Sequence, residues 1–161
     1  MKIATLSFLF GLFLCTTSNA MEINPNNVTS PTIENPSNPW VLEKLYVGKI
    51  VELKDIDFEM DVAALNEGSK ESLGALGDFL KKHKSVKIEI RGHTNAIPSD
   101  DYCDKLSTER AQVVRQHLLS MGINPESIKA TGIGKREPIA SNYTAEGRKT
   151  NQRVDVKILA L

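Results

Sequence analysis

The sequence predicts an α/β fold, an α+β sandwich of order βαβαββ with both helices packed on one face of the sheet. Three stretches carry that prediction. Val86, Ile88 and Ile90 alternate with Lys87, Glu89 and Arg91, the period-two pattern of a strand with one apolar and one charged face. Leu73, Leu76 and Leu80 with Phe79, and later Ala111, Val114, Leu118 and Met121, recur at helical spacing. Val154, Val156 and Ile158 alternate with Arg153, Asp155 and Lys157, marking a final half-buried strand.

The chain has 161 residues, 40% hydrophobic and 25% charged, enough for one domain with a core but not for two. Lys2 precedes an apolar run from Ile3 to Cys15, and Ser18-Asn19-Ala20 places small residues at a cleavage position, so residues 1–20 read as a secretory signal peptide. The rival reading, a lipoprotein signal with Cys15 lipidated, is disfavoured by the bulk of Leu14. The run is shorter than the roughly 20 residues a bilayer span needs, and no transmembrane candidate remains after its removal. Residues 21–39 are rich in Asn, Pro, Ser and Thr, with Pro25, Pro31, Pro36 and Pro39 spaced through them. Such a stretch buries too little to offset its chain entropy and is expected to be a disordered, extended tether.

The domain, residues 40–161, opens at Trp40. Val51 and Leu53 alternate in one phase and Ile56 and Phe58 in the other, which predicts a bulge or break near Lys54-Asp55. A helix follows from about Ser69 to His83. Gly74 and Gly77 each cost it about 1 kcal/mol relative to Ala, and both are expected to serve close packing. The Lys81-Lys82-His83-Lys84 cluster sits at its end, where cations interact favourably with the macrodipole. The next strand is expected to stop at Gly92, which lets the backbone turn. Ser107 is a good N-cap for the second helix, with Thr108 and Glu109 in its first turn. That placement puts Arg110 in the first turn too, where the macrodipole disfavours a cation by roughly 0.3–1 kcal/mol. An arginine there is better explained if it faces a carboxylate or phosphate; the alternatives are a solvated side chain or a pair with a nearby Asp. The helix ends at Met121-Gly122-Ile123, with Gly122 as a left-handed cap and Pro125 preventing continuation. A third strand from Ile128 to Ile133 leads into an irregular segment before the last strand.

Several functions are excluded. Twenty basic and twenty acidic residues cancel, so no net field favours nucleic acid or an anionic membrane surface. His83, His93 and His117 stand apart from each other at no metal-ligand spacing, and no cofactor is implied. Removal of the signal leaves Cys103 alone in the mature chain, expected in a loop where exposure makes it oxidisable. Nothing supplies an orienting group or oxyanion hole to a His93–Cys103 pair, so an enzyme is not expected. His93 reads as a structural side chain at a strand end and Tyr102 as a packing residue at the loop rim.

Taken together, Gly92-His93-Thr94-Asn95, Tyr102, Leu106-Ser107 with Arg110-Ala111, Gly132-Ile133-Gly134, Pro138-Ile139-Ala140 and Gly147-Arg148 before Asn151-Gln152-Arg153-Val154 resemble the OmpA-like peptidoglycan-binding domain. That domain also occurs in peptidoglycan-associated lipoproteins and flagellar motor stator proteins. The resemblance spans about residues 49–159. It implies a mixed sheet and non-covalent binding of the diaminopimelate of the peptidoglycan stem peptide, with contacts at Thr94, Asn95, Leu106, Arg110, Gln152 and Arg153. In the family an Asp after the His-Thr pair takes the ligand's ammonium, and the Arg of the Leu-Ser-x-x-Arg-Ala motif takes its carboxylate. Here the Asp position is Asn95, the usual Asn after the Tyr is Cys103, and the first Arg of the usual Asn-Arg-Arg-Val is Gln152.

Two of these departures remove one charge of each sign, which implies either a ligand that is less zwitterionic or charge supplied by Asp100, Asp101 or Asp104 in the same loop. The expected setting is the periplasm, with peptidoglycan as partner and an outer-membrane or other envelope protein as a second. The alternative is a non-enzymatic interaction adaptor on the same fold, its wall site weakened or lost.

Overall fold

The structure is a computed structural model that describes residues 38–54, 56, 58 and 65–161. The expected signal peptide, all but the last two residues of the expected tether, and Asp55 lie outside them. The elements run β1 (Ile50–Glu52), α1 (Glu67–Lys82), β2 (Lys87–His93), α2 (Asp100–Ser120), β3 (Ile128–Gly134), α3 (Ala145–Asn151) and β4 (Val154–Ala160). The sheet is mixed, in the order β1-β4-β2-β3. β4 is antiparallel to both β1 and β2, while β2 and β3 run parallel, Ile90 opposite Ala130 and Gly92 opposite Gly132.

Alternation along the strands gives one face to the core. Ile88, Ile90, Val154, Val156 and Ile158 pack with Leu73, Leu76, Phe79 and Leu80 of α1 and Ala111, Val114 and Leu118 of α2. Trp40 closes one side of this core, its ring 6.1 Å from that of Phe79. Asn66 starts α1 by accepting from the backbone N–H of Ser69 at 2.7 Å, and Lys81 and Lys82 occupy its last turn. Past β1, Leu53 still donates its N–H to the Val154 carbonyl at 3.0 Å before the chain turns at Lys54, and Phe58 makes an isolated antiparallel bridge to Leu65. Gly122 has φ +87°, the left-handed conformation expected of it after α2.

Four expectations need correction. α2 begins at Asp100, capped by Ser99, so Ser107 and Arg110 lie well inside the helix and not in its first turn. β2 runs through Gly92 to His93. The segment before β4 contains α3, whose cap Thr144 accepts from the Gly147 N–H at 3.0 Å. Its seven residues bury only Gly147 and Asn151, so no apolar stripe announces it. Gly77 does meet a neighbour, since a Cβ there would overlap the end of the Met121 side chain, but a Cβ on Gly74 would meet nothing within 4 Å.

The glycine at position 92 has a different purpose from the one expected. A Cβ on Gly92 would overlap the carbonyl oxygen of Ser107, and one on Gly132, its neighbour in register, would overlap the Thr108 hydroxyl. α2 therefore crosses β2 and β3 at backbone contact. The Ser107 hydroxyl sits in the crossing, donating to the Asp104 carbonyl at 3.1 Å and accepting from the Gly134 N–H at 3.0 Å. Gly92→Ala should destabilise the domain by about 3 kcal/mol, because the backbone it meets cannot rotate away. Gly74→Ala should stabilise it by up to about 1 kcal/mol. Chemical denaturation of the two variants beside the parent checks both signs.

Candidate functional site

At the end of the sheet where β2 leaves the core, a cleft of about 500 Å³ opens between the loop after β2, one face of α2 and the end of α3. Tyr102, Leu106 and Arg110 follow one another at four-residue spacing along α2 and form one wall. Thr94, Asn95, Ile97 and Pro98 form the second wall, and Ile56 with Phe58, after β1, the third. Lys149 of α3 and Gln152 just beyond it complete the rim.

Arg110 is only 3% exposed, and its guanidinium carbon lies 5.0 Å from the centre of the Phe58 ring. Burial beside an aromatic face keeps the cation weakly hydrated, so an anion entering the cleft meets it at little desolvation cost. Asn95 is held in place at several points. Its Oδ1 accepts from the Ile97 N–H at 3.0 Å, and its carbonyl receives the Cys103 thiol at 3.6 Å. The same thiol lies 3.7 Å from the Pro98 carbonyl. Cys103 is thus a fully buried helical residue that ties the loop down, contrary to the exposed loop thiol expected from its neighbours.

Of the six residues predicted for the site, Thr94, Asn95, Leu106, Arg110 and Gln152 line one cleft. Arg153 does not. It is 8% exposed, and its guanidinium donates to the Glu137 carbonyl at 3.3 Å and to Asp155 Oδ2 at 3.4 Å. Asp100 and Asp104 are also placed elsewhere: Lys135 approaches Asp100 at 2.6 Å and Arg136 approaches Asp104 at 2.6 Å. Neither these two nor the exposed Asp101 lines the cleft, so the expected compensation for Asn95 does not come from them. Lys149 was missed. Spacing could not reveal it, because α3 itself left no pattern.

Behind the cleft, on the sheet face opposite α1 and α2, lies a buried ionic cluster. Arg91 donates twice to Asp155, at 2.7 Å from Nε and 3.0 Å from Nη2, and once to Glu137 at 2.9 Å. His93 Nε2 is 3.0 Å from Asp155 Oδ2. Burial pushes the Asp155 carboxyl up, but the hydrogen bonds from His93 and Arg91 and their charge outweigh it, leaving the pKa below the ordinary value of 3.8. The expected structural part for His93 is what its position shows.

The loop before α3 is pinned by one amide. Asn151 accepts from the N–H groups of Ile139 and Ala140 at 2.8 and 3.0 Å, and donates to the Ala140 carbonyl at 2.8 Å and Asn142 Oδ1 at 3.0 Å. Asn142 in turn accepts from the Ala96 N–H at 3.1 Å, which links this frame to the cleft loop. Arg148 donates to the Asn142 and Tyr143 carbonyls at 3.1 and 3.2 Å. Among the described residues no group of three His, Cys, Asp or Glu side chains could hold a metal ion, and no helix is long and apolar enough to cross a membrane.

The fold is thus a mixed sheet backed by two helices, with a cleft at one end that Arg110 helps to line. The chain belongs to the OmpA family, whose model matches residues 57–152. It is 35% identical to outer membrane porin F of Pseudomonas aeruginosa over 137 residues, 84% of this chain and 38% of that protein. It is also 35% identical over 103 residues to the peptidoglycan-binding protein ArfA of Mycobacterium bovis, 64% of this chain and 32% of ArfA. The chain thus spans about a third of the length of these curated relatives. Among solved structures it resembles the peptidoglycan-associated lipoprotein of Burkholderia pseudomallei, with a TM-score of 0.60 and 25% identity, covering 68% of this chain and 88% of that one.

The ionic cluster yields a prediction. Because the pKa of Asp155 is lowered on folding, its contribution is fully present above its unfolded pKa and is lost as pH falls through the folded value. Asp155→Asn should cost about 3–5 kcal/mol at neutral pH, since Arg91 stays buried without its carboxylate. It should also flatten the loss of stability below about pH 4. Urea midpoints measured from pH 7 down to pH 3 test both.

Proposed function

We propose that this protein binds peptidoglycan non-covalently in the bacterial cell envelope, with the cleft at Arg110 as its docking site. The finer reading is that Arg110 takes a carboxylate of the stem-peptide diaminopimelate while Phe58, Leu106 and Tyr102 pack its aliphatic chain. One observation carries this reading: a buried arginine, stacked on Phe58, lines an open cleft of residues from four separated stretches of the chain. The names of ArfA and of the Burkholderia lipoprotein, both tied to peptidoglycan, support it. Thr94, Asn95, Gln152 and Lys149 supply the remaining polar contacts, and Arg153 acts from behind by holding Asp155 and the Glu137 carbonyl. The periplasm is the compartment this reading requires, with an outer-membrane or other envelope protein as a second partner. No chemical step is involved.

The purified protein should pellet with isolated sacculi in a saturable way, and Arg110→Ala should weaken pelleting by at least about tenfold, the loss expected of one charge-assisted contact. Free diaminopimelate should compete. A folded sample that stays in the supernatant would overturn the reading in favour of an interaction adaptor built on the same frame, to be sought through protein partners.

A further inference from the structure

The neutral total charge conceals an uneven distribution. At the end of the sheet opposite the cleft, where β2 begins and β4 ends, Lys87 pairs with Ala160. Lys84 lies just before it in the tight turn out of α1, where the Val86 N–H donates to the His83 carbonyl at 3.1 Å. The turn ahead of β1 packs beside the same strand end: the Gly48 N–H donates to the Ile158 carbonyl at 2.8 Å, and the Ile158 N–H to the Lys49 carbonyl at 2.9 Å. That pairing brings Lys44 and Lys49 to this end as well. Among the described residues the acidic groups here are Glu43 and Glu126, both exposed, and Glu89, which is already held by Lys129 at 2.8 Å and by the Thr131 hydroxyl at 2.7 Å.

Apolar surface that the core does not use lies among these lysines. Tyr46 and Val47 are 64% and 62% exposed, and Ile50 and Leu159, on the sheet face turned away from the helices, 49% and 39%. Tyr46 is held in place, since Lys49 Nζ lies 5.8 Å from its ring centre while donating to the Lys44 carbonyl at 2.5 Å. Protein interfaces are depleted in lysine, which argues against a protein as the occupant. A lipid surface uses this combination: a tyrosine ring at headgroup depth, apolar side chains just below it, and lysine stems lying on the apolar surface while their ammonium groups reach phosphates. We infer that this end of the domain is a peripheral contact for anionic phospholipid. Tyr46, Val47, Ile50 and Leu159 enter the headgroup layer, and Lys44, Lys49, Lys84 and Lys87 meet its phosphates. The contact is independent of the wall reading. The seven residues of β2 separate the two ends by about 20 Å, so one domain can hold a ligand in the cleft and rest on a membrane at once.

The test is co-sedimentation of the purified protein with vesicles of phosphatidylcholine, with and without phosphatidylglycerol. Binding should be at least about tenfold tighter when phosphatidylglycerol is present and should weaken as salt is raised. Val47→Asp and Lys87→Glu should each lower it by about tenfold or more. Both side chains are exposed, so unchanged urea midpoints will show that the variants fold. Lys105→Glu makes the same charge reversal on an exposed part of α2 near the cleft and should bind as the parent does. Equal losses in Lys87→Glu and Lys105→Glu would make net charge the cause and overturn the inference. Binding that survives both Val47→Asp and Lys87→Glu would overturn it by placing the contact elsewhere in the chain. A protein with no affinity for either vesicle would overturn it too, leaving this face to a protein partner.

Discussion

Everything that positions the cleft depends on how closely α2 lies against the sheet. At Ser107 the helix touches the backbones of β2 and β3, a distance that only two paired glycines, Gly92 and Gly132, allow. The contact does more than save space. It lowers the face carrying Tyr102, Leu106 and Arg110 to the level of the loop leaving β2, so that helix and loop become two walls of one cleft. The Gly134 backbone is gripped on both sides, its N–H by Ser107 and its carbonyl by the Thr94 N–H at 2.9 Å, so the crossing and the first residue of the cleft loop share one hydrogen-bonded unit. A bulkier residue at either glycine would lift the helix and open the wall.

A second layer of order comes from charges that do not face the cleft. Arg91, His93, Arg153 and Asp155 occupy the sheet face opposite the helices, and Glu137 joins them from the loop after β3. Buried ion pairs add little net stability over an apolar alternative, but they are costly to break singly, so they enforce one arrangement of the strands and loop around them. Asn151 does the same for the loop before α3 with neutral groups. Much of what makes the sequence resemble its family is frame of this kind: Gly92, Gly132, Gly147, Arg148 and Asn151 each hold backbone in place.

How much was legible in the sequence follows from which signals are periodic. Strands β2 and β4 and the stripes of α1 and α2 announced themselves, because each buries a face through regular alternation or helical spacing. The start of α2 was misplaced although Ser99-Asp100-Asp101 is a sound cap and first turn; the polar residues that follow have no apolar period until Leu106, and Ser107 offered a rival cap. With the helix capped at Ser99 rather than at Ser107, Arg110 lies in mid-helix and feels no free N–H groups, so the macrodipole gives it no reason to face an anion. What places Arg110 at the cleft is spacing along the helix: with α2 beginning at Asp100, Tyr102, Leu106 and Arg110 share one face. Helix α3 and Lys149 were invisible because a seven-residue helix held by Thr144, Gly147 and Asn151 leaves no hydrophobic trace.

The short first strand also has a mechanical meaning. Ile50 lies opposite Lys157, midway along β4, and Glu52 opposite Asp155, so β1 runs from the middle of β4 towards the end of the sheet that meets the cleft. A pull on the chain ahead of Ile50, with the cleft held, acts along the strands rather than across them. The Gly48, Ile158 and Leu53 N–H bonds that flank β1 would be sheared together with its ladder, not unzipped one after another. In a domain anchored at one pole and drawn from the other, that arrangement spreads the load over the whole strand.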